Sequence, residues 1–125
     1  MRTPHPTLTP QELAIMKVIW SRDTATVREV YETLREERPI AYTTVMTMLN
    51  ILEEKKYLKK SRLDRAFVYK PTRSRQQVVG QMVKDFVDRV FDGAAGGLLV
   101  HLARDNRLSN NEREDIRRII EEMEE

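Results

Sequence analysis

Apolar residues recur along this chain at helical spacing, interrupted once by a stretch with the two-residue period of strands. Leu13, Met16, Ile19 and Trp20 follow the tetrapeptide Thr9-Pro10-Gln11-Glu12. That tetrapeptide is a capping box. The Thr hydroxyl accepts from the backbone three residues on, the Glu carboxylate returns the bond, and Pro suits a first helical position whose N–H has no partner. The pattern predicts a helix over 10–21, with Trp20 in the core. Thr26-Val27-Arg28-Glu29 repeats the signal, and Val27, Val30, Tyr31 and Leu34 stand at i, i+3, i+4 and i+7. Pro39 stops this second helix. A third is predicted over 43–56, with Val45, Met48, Leu49 and Leu52 inward. Ala41 and Tyr42 are poor N-caps, so capping by Thr43 is an alternative role for the Thr run.

The period then changes. Residues 58–63 and 66–70 read as two short strands, the second alternating through Phe67 and Tyr69. Asp64-Arg65 is the turn, without the Gly that two-residue hairpins favour, and Pro71 ends the second strand. Two short strands are not stable alone, so they must pack on the three helices. Three helices followed by a hairpin is the order of a winged helix-turn-helix.

Beyond the hairpin the helical period returns. Ser74-Arg75-Gln76-Gln77 resembles a capping box, and Val79, Met82, Val83, Phe86 and Val90 make a stripe on a helix ending near Gly93. A short helix falls within 94–102, where Gly93 and Gly96-Gly97 suggest a turn and tight packing. Ser109-Asn110-Asn111-Glu112 starts a last helix. Its apolar face is Ile116, Ile119, Ile120 and Met123, opposite Arg117, Arg118, Glu121 and Glu122. Three short helices enclose little core by themselves, and a second copy of the chain would bury these stripes. The alternative is that they fold back on their own N-terminal domain. The expected fold is mainly α with a small antiparallel β-hairpin. A winged helix-turn-helix domain spans 1–72 and a helical dimerisation region spans 73–125.

Charge changes the picture through its distribution. The chain has 22 Lys and Arg against 20 Asp and Glu, a net of +2. Residues 55–75 hold nine basic side chains and one acid, Asp64, whereas residues 112–125 hold seven acids and three arginines. The basic cluster falls on the expected wing, where such a fold meets phosphate. Lys60, Arg62 and Arg65 are the candidate phosphate contacts. The outward face of the third helix is centred on Thr43, Thr47, Asn50 and Glu54, with Met46 on one flank and Ile51 and Thr44 on the other. Thr methyls and Met46 suit the thymine methyl, and Asn suits adenine; no Arg offers a bidentate guanine contact. These residues predict A·T-weighted reading of double-stranded DNA. The alternative from another class is a winged helix that binds an acidic protein partner through the hairpin.

Other chemistry is thin. The 125 residues include no Cys, which excludes disulfides, thiol catalysis and Cys-based metal sites. His5 and His101 are far apart, so neither a metal nor another cofactor is expected. No nucleophile–base arrangement, Gly-rich phosphate loop or HExxH motif occurs, and an enzyme is not expected. No apolar run approaches the ~18 residues of a membrane span, and the N-terminus lacks a signal-peptide core. The expectation is a cytoplasmic protein without membrane insertion.

The runs LTPQELAIMKVIW, VREVYETL, AYTTVMTMLNILEEKKYL and RAFVYKP, with FVDRVFDG and LLVHLARDNRLSNNEREDIRRII, resemble the penicillinase-repressor (BlaI/MecI) family over nearly the whole chain. The resemblance implies a homodimeric winged-helix repressor binding inverted-repeat operators of antibiotic-resistance or related genes. It places the reading positions at Thr43, Thr44, Met46, Thr47 and Asn50, although well-known members carry a basic residue where Met46 stands and again at Ile51. It implies a membrane sensor metallopeptidase as a partner, which triggers cleavage of the repressor in its dimerisation region. Aligned through Leu108-Ser109, the Asn-Phe bond cut in β-lactam-responsive members falls at His101-Leu102 here. A repressor of the same fold relieved by another signal is the alternative. A similar group of copper-responsive repressors carries a C-terminal cysteine motif, which this chain lacks.

Overall fold

The computed structural model describes residues 7–124. His5 and Glu125 lie outside the described residues. The elements are α1 (Pro10–Arg22), α2 (Val27–Arg35), α3 (Tyr42–Glu54), β1 (Leu58–Leu63), β2 (Ala66–Pro71), α4 (Arg75–Val90), α5 (Ala95–Arg104) and α6 (Asn110–Met123). They fall into two compact units, Met1–Gly80 and Gln81–Glu125.

Four helix starts follow the capping logic. At α1, Glu12 N donates to Thr9 Oγ1 at 3.2 Å and Thr9 N donates to Glu12 Oε1 at 2.8 Å. Thr26 with Glu29, Ser74 with Gln77 and Ser109 with Glu112 repeat the reciprocal pair. Each pair satisfies two backbone donors that the helix itself cannot.

The first unit is a winged helix-turn-helix. Its core is Ile15, Met16 and Ile19 of α1, Val30 and Leu34 of α2, and Val45, Leu49 and Leu52 of α3, all essentially shielded from solvent. Leu58 and Tyr69 close this core from the hairpin. Tyr69 is also held by its backbone, which exchanges hydrogen bonds with Ala25 at 2.8 and 3.1 Å. That single rung fixes the hairpin to the α1–α2 connection and gives two otherwise marginal strands an anchor.

The strands pair antiparallel, with Lys60 opposite Tyr69 and Arg62 opposite Phe67. Period-two alternation therefore puts Leu58, Lys60, Arg62, Phe67, Tyr69 and Pro71 on one face. Lys59, Ser61, Leu63, Ala66, Val68 and Lys70 share the other. Asp64 takes the left-handed turn conformation, φ 57°. Its short polar side chain tolerates that conformation without glycine.

Several expectations need correction. In α1 the buried apolar set is Ile15, Met16, Val18 and Ile19, while Leu13 and Trp20 are only half-buried. Trp20 is at the core's margin because its indole N–H needs an acceptor, which it finds in Arg73 O at 3.0 Å. Met48 is half-buried rather than core. The N-cap of α3 is Ala41, without a side-chain bond, and not Thr43. The extended backbone of Ala41 already presents its carbonyl to Val45 N at 3.2 Å, leaving Thr43 inside the first turn. The helix stops at Glu54 because Lys56 turns left-handed, φ 69°, to enter β1.

In the second unit, Gly93 (φ 85°) closes α4 by donating to Val87 O at 3.1 Å. A Cβ on Gly97 would lie 2.9 Å from the Phe91 ring, so glycine is what lets these two meet. Val83, Phe86, Val90, Ile119 and Ile120 are between 40% and 50% exposed, a large apolar area for so small a unit. Met82 and Ile116 are half-buried. Val79, which precedes this unit on α4, is half-buried as well.

Candidate nucleic-acid interface

Helix α3 carries Thr43, Thr44, Met46, Thr47 and Asn50 exposed on the side away from Val45, Leu49 and Leu52. Two of these side chains are not free rotors. Thr47 Oγ1 donates to Thr43 O at 3.0 Å, back-bonding along the helix. This spends its only proton inside the helix and leaves its methyl group and an acceptor lone pair for a ligand. Asn50 Oδ1 accepts from Tyr69 OH at 3.3 Å, which ties the middle of α3 to the hairpin. Burial, and then the nearby Glu53 carboxylate, raise the Tyr69 phenol above its usual range, so the group stays a donor.

The hairpin contributes organised charge. Lys60 Nζ lies 4.8 Å from the Phe67 ring centre and 5.9 Å from that of Tyr69, and Arg62 Cζ lies 5.5 Å from Phe67. Phe67, 48% exposed, thus forms a platform under two cations on one face of the wing. Arg65 is exposed at the turn. On the other face Lys59 and Lys70 are direct cross-strand partners. Like charges opposed in this way are unfavourable in the free protein and become favourable when an anion lies across them.

One cation of the basic cluster belongs elsewhere. Lys55 Nζ is 3.0 Å from both carboxylate oxygens of Glu12, with side-chain exposures of 18% and 3%. Lys55 is therefore a structural partner of α1 and is withdrawn from the surface charge. Sequence reasoning misses this pairing because the two residues are 43 positions apart and Glu12 already has a role as a capping residue. It also treats Phe67 and Tyr69 only as strand residues. Their alternation with the opposite lysine and arginine is the available signal.

The candidate cleavage residues and α6 belong to the second unit. His101 is exposed on α5 with Nε2 3.2 Å from Asp105 Oδ2, and Leu102 is half-buried. In α6, Arg117 with Glu114 and Arg118 with Asp115 form surface pairs at i, i+3. Among the described residues no cluster of metal-ligating side chains is assembled, and no helix is long and apolar enough to cross a membrane.

The sequence profile of the penicillinase repressor family matches residues 8–122. The chain belongs to the penicillinase repressor family. The transcriptional regulator BlaI of Mycobacterium tuberculosis is 37% identical over 115 residues, covering 90% of this chain and 82% of that protein. The penicillinase repressor of Bacillus licheniformis is 27% identical over 117 residues, 94% of this chain and 91% of that one. The solution structure of monomeric B. licheniformis BlaI in complex with the blaP half-operator superimposes with a TM-score of 0.51 at 31% identity. It covers 60% of this chain and 89% of that one. These relatives are regulators and repressors, which agrees with the absence of catalytic motifs in this repressor-family chain.

Proposed function

We propose that this chain is a transcriptional repressor that binds an inverted-repeat operator in double-stranded DNA as a homodimer, controlling antibiotic-resistance or related genes. Residues 1–72 read the DNA and residues 73–125 dimerise. The observation that carries the reading is the junction of the exposed α3 face with a basic hairpin through Asn50 and Tyr69. A groove-sized helix and a phosphate-sized patch of charge then act as one surface. The operator complex of the B. licheniformis relative supports it. In this reading Thr43, Thr44, Met46, Thr47 and Asn50 face base edges, and Lys60, Arg62 and Arg65 meet phosphates.

Dimerisation rests on the exposed apolar stripe of Val83, Phe86 and Val90, continued by Val79 and Met82, and on Ile116, Ile119 and Ile120 of α6. Burying them against a second copy removes apolar area from water and makes the second half-site contact intramolecular. Bound over a promoter, the dimer excludes polymerase. The deciding experiment is a gel shift on the DNA upstream of the gene. Saturable binding to an inverted repeat, abolished by scrambling, is expected. Intact affinity after Lys60→Glu with Arg62→Glu would overturn the interface.

Relief by proteolysis is the finer part of the proposal. The aligned bond, His101-Leu102, lies within α5, and a protease needs extended backbone. That helix opens at low cost because Gly96 and Gly97 occupy its first turn and Ala94 provides no side-chain cap. Incubation with a membrane sensor metallopeptidase encoded nearby should yield fragments meeting at residues 101 and 102. An uncut chain that is still released from DNA points to another signal.

A further inference from the structure

Asn50 and Tyr69 lie 19 residues apart, on different elements, and the fold joins them through a single hydrogen bond. Tyr69 has little freedom to turn away. Its residue is 4% exposed, its backbone is bonded on both polar atoms to Ala25, and the Lys60 ammonium sits 5.9 Å from its ring centre. The phenol O–H therefore acts as a fixed donor aimed at Asn50 Oδ1. With its oxygen bonded to Tyr69, the Asn50 amide offers its NH2 group to a base that meets this face of α3.

An asparagine reads adenine when both ends of its amide are used, the oxygen accepting from N6 and the NH2 donating to N7. Here the oxygen already accepts from Tyr69 with one of its two lone pairs, so a bidentate fit to adenine would have to share it. An NH2 group alone suits a base edge of acceptors. Guanine presents two in the major groove, O6 and N7, whereas adenine sets its own amino group against the donor. We propose that Tyr69 is a positioning residue for operator sequence, fixing the Asn50 amide as a donor so that Asn50 selects guanine over adenine at one position of each half-site. This rests on the DNA-binding reading above, and it replaces the A·T-weighted expectation at that position alone.

The test is selection from a randomised double-stranded DNA library by the full chain and by its Tyr69→Phe variant, at one salt concentration. Phe keeps the ring and the backbone rung and removes only the hydroxyl. The wild-type chain is expected to enrich guanine at one position per half-site. Tyr69→Phe should move that position towards adenine by about fivefold or more, the low end of a bidentate base contact, and leave the others unchanged. Asn50→Ala, with Tyr69 intact, should erase the preference there alone. If the wild-type chain selects no sequence, the DNA-binding reading itself fails. If it selects a site and Tyr69→Phe shows the same preference, or loses affinity uniformly, the positioning role is wrong. Retention of the guanine preference by Asn50→Ala overturns it as well.

Discussion

The ammonium of Lys55, at the end of α3, sits 3.0 Å from both carboxylate oxygens of Glu12 in the first turn of α1. Glu12 also accepts from Thr9 N at 2.8 Å, so one nearly buried carboxylate caps one helix and locks another. Removing the cation leaves an uncompensated charge in the core. Lys55→Met should lower unfolding free energy by about 3 kcal/mol, towards the low end for a broken buried pair because Lys55 keeps some exposure to water. Urea denaturation measures this. The same substitution should leave the salt dependence of DNA binding unchanged, because Lys55 neutralises Glu12 and not a phosphate.

The wing cations behave differently. Lys60→Gln or Arg62→Gln should weaken binding to all sequences and reduce the slope of log affinity against log salt by about one for each phosphate left without its cation. Phe67→Ala removes no charge, yet it removes the platform under both cations. It should lower affinity severalfold with little change in unfolding free energy, since the ring is 48% exposed. A salt titration of fluorescence anisotropy separates the two kinds of variant. Unchanged affinity of Phe67→Ala would show that the ring does not organise the cations.

At position 47 the hydroxyl and the methyl have separate duties. The hydroxyl is bonded to Thr43 O, so Thr47→Val, which keeps the shape and the outward methyl, should retain sequence preference. Thr47→Ser keeps the hydroxyl and removes the methyl. It should weaken discrimination for thymine at the facing position by about 1 kcal/mol. Competition gel shifts with single-base operator variants measure both.

Acid should loosen the capping boxes. Backbone hydrogen bonding from Thr26 holds the Glu29 carboxyl below its usual range, with Arg22 adding to the effect. The backbone N–H of Ser109 does the same for Glu112. Both folded values lie below the unfolded one, so their stabilisation is present above about pH 4.3 and fades as pH falls through the folded values. Circular dichroism at 222 nm during acid titration should show this loss, and Glu29→Gln with Glu112→Gln should flatten it. A profile identical to wild type would remove these carboxylates from the acid response.

The order of elements was legible in the chain because its signals are local. Thr9 with Glu12 and Thr26 with Glu29 mark helix starts within four residues, and the alternation through Phe67 and Tyr69 marks a strand within five. The apolar set of α3 was nearly right for the same reason, since Val45, Leu49 and Leu52 recur on one face at the helical period. The errors share a cause of longer range. Trp20 could not be placed without knowing that Arg73 would bring it a carbonyl. Thr43 is not the cap because the backbone of Ala41 has already started the helix.

The sequence by itself determined where both strands and the helices with capping boxes begin, that the net charge of +2 hides a basic hairpin and an acidic tail, and, through its motif order, the family. Only the tertiary structure decided which of those charges are available and which polar groups already have partners. Lys55 is consumed by Glu12 from 43 residues away, and the amide of Asn50 is oriented by Tyr69 from 19. Periodicity and capping are properties of neighbouring residues, whereas the pairing of a buried or oriented polar group depends on which distant element the fold sets beside it.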